Sequence, residues 1–195
     1  MKHILFLVMV LVSPPAFAGS FWDSSPPDGD SYSNWDVSHR VCSGTGNHYL
    51  CVDEKTVDTS DYVENLRDDF GVREGFTYED PPQAYENNPI LDLHVEFYTK
   101  NPGGYSDHTE LWVDVWYYSD GGWRSVEDWW NTSSSWEYLI LELPENPTTE
   151  EPWTYEEIRT MYVRAMTCSN ISGGSIGEDE GCRIAQTRMM IQFET

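Results

Sequence analysis

Basic side chains are scarce in this sequence. Its 195 residues hold 11 lysines and arginines against 34 aspartates and glutamates, a formal charge of −23. A phosphate backbone would be repelled over most of such a surface, which excludes nucleic-acid binding. The acidity suits solubility, cationic partners or divalent ions instead. Long apolar runs are also missing. The one uninterrupted stretch, residues 4–12, is too short to cross a bilayer and runs into Ser13-Pro14-Pro15, which excludes membrane insertion. There is no H-E-x-x-H, no Gly-rich phosphate loop and no EF-hand spacing, so no familiar catalytic or calcium-loop chemistry is written in the chain. Paired close cysteine spacings such as C-x-x-C are absent too, which argues against a four-cysteine metal site.

What is present begins with an export signal. Lys2 and His3 give a positive head, residues 4–12 an apolar run, and Ala16-Phe17-Ala18 a small-x-small cleavage pattern. Cleavage after Ala18 removes one basic residue and takes the formal charge from −23 to −24. Residues 1–18 are therefore read as a signal peptide, 19–31 as an extended N-terminal arm and 32–195 as one domain, secreted or periplasmic. Four cysteines in an exported chain imply two disulfides, for which three pairings exist. Cys42 with Cys51 and Cys168 with Cys182 is the favoured pattern, because each pair brackets a Gly-rich polar segment. Closing a loop of this size is worth roughly 3 kcal/mol in the chain-entropy model.

Residues 91–118 organise the rest. Leu91, Leu93, Val95 and Phe97 alternate with Asp92, His94, Glu96 and Tyr98. Further on, Leu111, Val113, Val115 and Tyr117 alternate with Trp112, Asp114, Trp116 and Tyr118. A period of two places each set on its own face of a strand. Asn101-Pro102-Gly103-Gly104 between the halves reads as a turn, which makes the stretch a long antiparallel hairpin. Asp120-Gly121-Gly122 is a further turn, and 123–130 with 136–143 reads as a second hairpin. Strands are also expected at 49–53, 61–66, 72–78, within 158–166, and at 184–193. Thr154-x-x-Glu157 has the form of a capping box and predicts one or two helical turns. Short strands at this spacing with almost no helix specify an all-β, antiparallel sandwich.

The layout resembles secreted and phage-associated structural jelly-roll domains, including those of the carbohydrate-binding-module type. The residues that carry the likeness are Pro27-Asp28-Gly29-Asp30 with Asn34-Trp35, Val52-Asp53-Glu54, and Asp58-x-x-Asp61-Tyr62-Val63. They continue with LDLHVEFYTK, a Gly turn, ELWVDVWYY, Ser135-Trp136-Glu137-Tyr138, and Tyr155-x-x-Ile158 before MYVRAM. The resemblance covers about residues 28–193 and implies a single jelly-roll-like fold rather than a chemistry. An export signal and cysteine pairs depart from the phage examples and count against a virion role.

The expected ligand face is the polar side of the organising hairpin: His94, Glu96 and Tyr98 beside Trp112, Asp114, Trp116 and Tyr118. Aromatic faces among acids suit sugar rings, which stack through C–H and bond through hydroxyls. Trp112 and Trp116 project from one face about 13–14 Å apart. The expected metal site, with calcium as its ion, is Asp53, Glu54, Asp58 and Asp61; Glu178-Asp179-Glu180 is a second acidic cluster. No other cofactor is expected. His39, His48, His94 and His108 show no ligand spacing and read as loop and surface residues. Function is read as non-catalytic binding or adhesion, to a glycan or another extracellular protein. A structural subunit of a surface assembly is the alternative. A polysaccharide hydrolase or lyase using opposed Glu96 and Asp114 comes third.

Overall fold

The computed structural model describes residues 19–33, 36–37, 48–53, 56–65, 73–101, 109–169 and 182–195. Among these residues eleven strands run in chain order: β1 (Ser20–Ser25), β2 (Pro27–Ser33), β3 (Asp36–Val37), β4 (Val63–Asn65), β5 (Arg73–Tyr78) and β6 (Ile90–Lys100). They continue with β7 (Thr109–Ser119), β8 (Gly122–Asn131), β9 (Glu137–Glu142), β10 (Tyr162–Ser169) and β11 (Cys182–Glu194), with one short helix, α1 (Tyr155–Arg159), before β10. Four antiparallel pairs nest inside one another: β7 with β8, then β6 with β9, β5 with β10, and β4 with β11. Successive pairs alternate between two sheets, and the β6–β11 and β7–β10 pairings join them at the middle of each sheet. The results are β3-β4-β11-β6-β9, with β1 also on β11, and β2-β5-β10-β7-β8. A nested ribbon wrapped in this way is a jelly-roll-like sandwich, the fold class expected from the sequence.

The organising stretch is not a hairpin, however. β6 and β7 belong to different sheets, and so do β8 and β9. An alternating strand needs its apolar side covered, and a strand in the facing sheet does this as well as a neighbour in its own. The segment 101–108 is long enough to cross the roughly 10 Å between packed sheets. Leu93, Val95 and Phe97 of β6 therefore meet Leu111, Val113, Val115 and Tyr117 of β7 across the core, all at most 1% exposed. Burying each such side chain contributes about 1.5–3 kcal/mol. The two crossings are tied together where Asn101 N–H donates to Ser133 O at 2.7 Å. The true tight hairpin is β7–β8. Its loop, Asp120-Gly121, has φ of +48° and +74°, the left-handed pair of a type I′ turn. Leu91 departs from its expected face: a register irregularity against β11 turns it outward, 46% exposed, and Ile90 is buried instead.

The N-terminal arm is extended but not free. β1 pairs with β11 and β2 with β5, so 20–33 adds a strand to each sheet. Residues 48–51, expected to begin a strand, form a 3-10 turn instead. The carboxylate of Asp30 accepts from its first two amides, His48 N–H at 2.8 Å and Tyr49 N–H at 2.7 Å, which competes with sheet pairing. The capping box forms as expected: Thr154 Oγ1 accepts from Glu157 N–H, and Glu157 Oε2 accepts from Thr154 N–H at 3.0 Å. His48 is not a surface residue. It is buried with Nδ1 3.0 Å from Oε1 of Glu74, which is itself fully buried.

The expected Cys168–Cys182 bridge is also corrected. Cys182 is a free, buried thiol 2.8 Å from Thr99 Oγ1, and burial pushes its pKa up to about 12. The two cysteines sit on β10 and β11, in opposite sheets. Cys51 is disulfide-bonded to a partner outside the described residues. Cys42 and the side chain of Cys168 also lie outside them. Residues 1–18, Glu54 and 178–180 do too. Among the described residues, no helix is long and apolar enough to cross a membrane.

Candidate functional site

Because β6 and β7 face each other, the single ligand face read from the sequence divides in two. Trp112, Asp114, Trp116 and Tyr118 lie on the outside of the β7 sheet. His94, Glu96 and Tyr98 lie on the outside of the β6 sheet, with the whole core between. The structure thus brings together the members of each set but not the two sets.

The β7 face is built from three neighbouring strands in register. Trp112 stands between Trp129 of β8 and Met166 of β10, Asp114 between Glu127 and Arg164, and Trp116 between Ser125 and Tyr162. Trp112 stacks on Trp129 at 6.1 Å between ring centroids, and Trp116 on Tyr162 at the same separation with planes 8° apart. Trp123 meets both Tyr118 and Tyr162 edge-on, at 5.8 and 5.6 Å. Such pairs add about 0.5–1.5 kcal/mol each beyond area burial, which fixes the ring orientations.

Exposure separates these residues into two roles. Asp114 and Arg164 are buried and form an ion pair, with the guanidinium carbon 4.5 Å from the centroid of the Trp116 ring. Asp114 is therefore part of the sheet's framework. Trp112 is half-buried under Trp129, and its indole N–H donates to Glu110 at 2.9 Å. The rings open to solvent are Trp123, Trp129 and Tyr118, at 51, 47 and 44% exposure. Pairing 123–130 with 136–143 hides Trp123 and Trp129 from the face they share with Trp112 and Tyr118. The signal was there: Trp123, Ser125, Glu127 and Trp129 keep β7's alternation across the Asp-Gly turn.

On the β6 face, Glu96 lies between His94 and Arg188, accepting from Arg188 Nε and reaching His94 Nε2 at 3.1 Å. Tyr98 stacks on Trp136 at 5.4 Å with planes 9° apart and touches Tyr138. Lys100 sits over Trp136 and Arg183 over Tyr62, while Arg183 also binds Glu64 at 2.8 Å. Lys100, Arg183 and Arg188, three of the chain's 11 lysines and arginines, stand on this face, and each is already paired with an acid or a ring.

Of the four acids expected to bind calcium, Asp53, Asp58 and Asp61 are described, and Asp61 lies near enough to Asp53 to act on its charge. Asp58 Oδ1 is taken by the backbone and hydroxyl of Ser60 at 2.8 and 2.7 Å, which makes it the anchor of a turn. Asp53 lines a cleft of about 310 Å³ with Asp23, Gln186 and Arg188. Among the described residues, the place where three ligand-type side chains do converge is Asp92, His94 and Glu142.

Burial holds the Asp53 carboxyl above its ordinary 3.8, and the charge of Asp61 adds to the shift. A carboxyl raised in the folded state favours folding below pH 3.8, and this contribution is lost as pH rises through the folded value. Asp53→Asn is therefore expected to raise the Tm at pH 7, with the gain fading below pH 3.8. Thermal melts of both proteins across that range check it. A lower Tm for the variant at pH 7, reproduced in the parent by chelator, would instead assign a calcium ion to this carboxylate. No protein-family model matches this chain and no curated protein matches it, so the likeness to jelly-roll domains rests on the order of the strands.

Proposed function

We propose that this is an exported, non-catalytic binding module whose ligand is a glycan, taken on the outer face of β7, β8 and β10. The observation that carries the reading is the pair Trp123 and Trp129, half-exposed and projecting from the same face of β8. Six residues of strand separate them by about 20 Å. That length suits several units of an extended polysaccharide, with Tyr118 beside one end and Trp112 beneath the other. Glu127 and Ser125 lie between them on the same face as hydrogen-bonding groups for hydroxyls. The rings are already oriented by their stacking partners, so little side-chain freedom is lost when a sugar docks.

The hydrolase reading loses its carboxylate pair, since Glu96 and Asp114 stand on opposite outer faces and cannot flank one glycosidic bond. Subunit assembly is the rival use of the same surface, because among the described residues β8 ends its sheet with an unpaired edge. An assembly built along that edge would extend the sheet and the row of rings on its outer face.

A screen of the full chain against immobilised polysaccharides, followed by titration of the best ligand, tests the proposal. Trp123→Ala and Trp129→Ala should each weaken binding by tenfold or more while lowering the Tm much less than loss of a core tryptophan does. Substituting Tyr98, on the opposite face, should leave affinity unaltered. Undiminished binding by the Trp123→Ala/Trp129→Ala double variant would overturn the site. Concentration-dependent polymers with no glycan bound would favour the assembly role.

A further inference from the structure

The geometry points to a binding site for a first-row divalent cation, with zinc as its type, formed by Asp92, His94 and Glu142 on the outer face of β6 and β9. Asp92 and His94 are two residues apart on β6 and so share a face. The β6–β9 register sets Glu142 directly opposite His94. One donor atom from each of the three lies within 4.8 Å of the others. Glu142 is the exposed member at 63% side-chain exposure, and closing on an ion at about 2.0–2.2 Å needs only rotation of that side chain.

His94 is already oriented as metal-bound histidines are. Its Nε2 lies 3.1 Å from Glu96 Oε1, and its Nδ1 faces Glu142 Oε2 at 4.0 Å. A carboxylate that accepts from one ring N–H leaves the other nitrogen with its lone pair, which is the histidine arrangement found around zinc. Here that second nitrogen is the one turned toward Glu142. Two acceptors then face each other across a gap that a cation fills. Glu96 is held in place by Arg188, and the Trp22 ring lies 5.0 Å from the imidazole, so the histidine is braced on two sides. Asp92 Oδ1 accepts from Leu93 N–H at 2.9 Å, which fixes that carboxylate and leaves its second oxygen to the ion.

The donor set decides the kind of ion. One imidazole and two carboxylates suit zinc and its neighbours, whereas calcium takes six to eight oxygens. The solvent side stays open, so a bound ion keeps positions for water or for a group on a ligand. The ion also joins β6 to the edge strand β9.

Calorimetric titration of the chelator-stripped full chain with Zn²⁺ tests the site. One ion per chain is expected, with a micromolar or tighter dissociation constant. His94→Ala should abolish this uptake, and Glu142→Ala, at an exposed position that folding does not need, should weaken it at least tenfold. Glu96→Gln, which touches the histidine and not the ion, should weaken it by about 10–100-fold, the usual cost of losing such support. Circular dichroism establishes that each variant is folded. Absence of saturable uptake, or equal uptake by His94→Ala and Glu142→Ala, would overturn the proposal.

Discussion

Asp114→Ala is expected to lower the unfolding free energy by about 3–5 kcal/mol, the usual penalty for removing one partner of a buried ion pair. Both members of the Asp114–Arg164 pair are less than a tenth exposed. The variant would hold a guanidinium in the sheet without the Asp114 carboxylate. Replacing both residues by apolar ones of similar volume, Asp114→Leu with Arg164→Met, should recover most of the loss, because it removes the charge along with its partner. Urea unfolding of the three proteins measures the effect. A loss below about 1 kcal/mol for Asp114→Ala would mean that water reaches the pair, the range of exposed salt bridges.

Trp153→Ala is the second large effect expected, again about 3–5 kcal/mol. Trp153 is 3% exposed in the connection between β9 and α1, and it meets Tyr117 edge-on with centroids 4.8 Å apart. Its indole N–H donates to Leu143 O at 2.6 Å. Alanine would leave both a cavity and an unpaired carbonyl, while Trp153→Phe keeps most of the volume and loses mainly the hydrogen bond. The phenylalanine variant should therefore cost about 1–3 kcal/mol less than alanine. Trp123→Ala is the natural contrast, since a half-exposed ring outside the core forfeits little more than its two edge-on ring contacts, about 0.5–1.5 kcal/mol each. Equal losses at 153 and 123 would show that Trp123 is packed rather than presented.

Alternation, turn chemistry and capping are local, and they were legible. The faces of β6 and β7, the Asp120-Gly121 turn and the Thr154–Glu157 box all follow from a few adjacent residues. Sheet membership is not local. A strand with one apolar face is equally satisfied by a neighbour beside it or by a strand across the core, and nothing in 101–108 distinguishes the two. That ambiguity placed His94 and Trp112 on one imagined surface. The 3-10 turn at 48–51 was invisible for a related reason, since the carboxylate that organises it, Asp30, is 18 residues away. His94, Asp92 and Glu96 were visible as one face of one strand. Glu142 was not, because its place beside them depends on β8–β9 crossing between sheets rather than turning back.

The nesting of the strand pairs has a consequence for chain entropy. Paired in isolation, β4 and β11 would close a loop of more than a hundred residues, and Arg183 meets Glu64 across 119 positions. Because the cost of closure rises only with the logarithm of loop length, what matters is how much free chain remains when each contact forms. With β7–β8 joined by two residues, bringing β6 to β9 closes only the two crossings. Bringing β5 to β10 then closes only the segments flanking that unit, and β4 meets β11 in the same way. A set of pairings that looks entirely long-range in sequence is thus a succession of short closures when taken from the inside outward. The Asp120-Gly121 turn is where that succession is shortest.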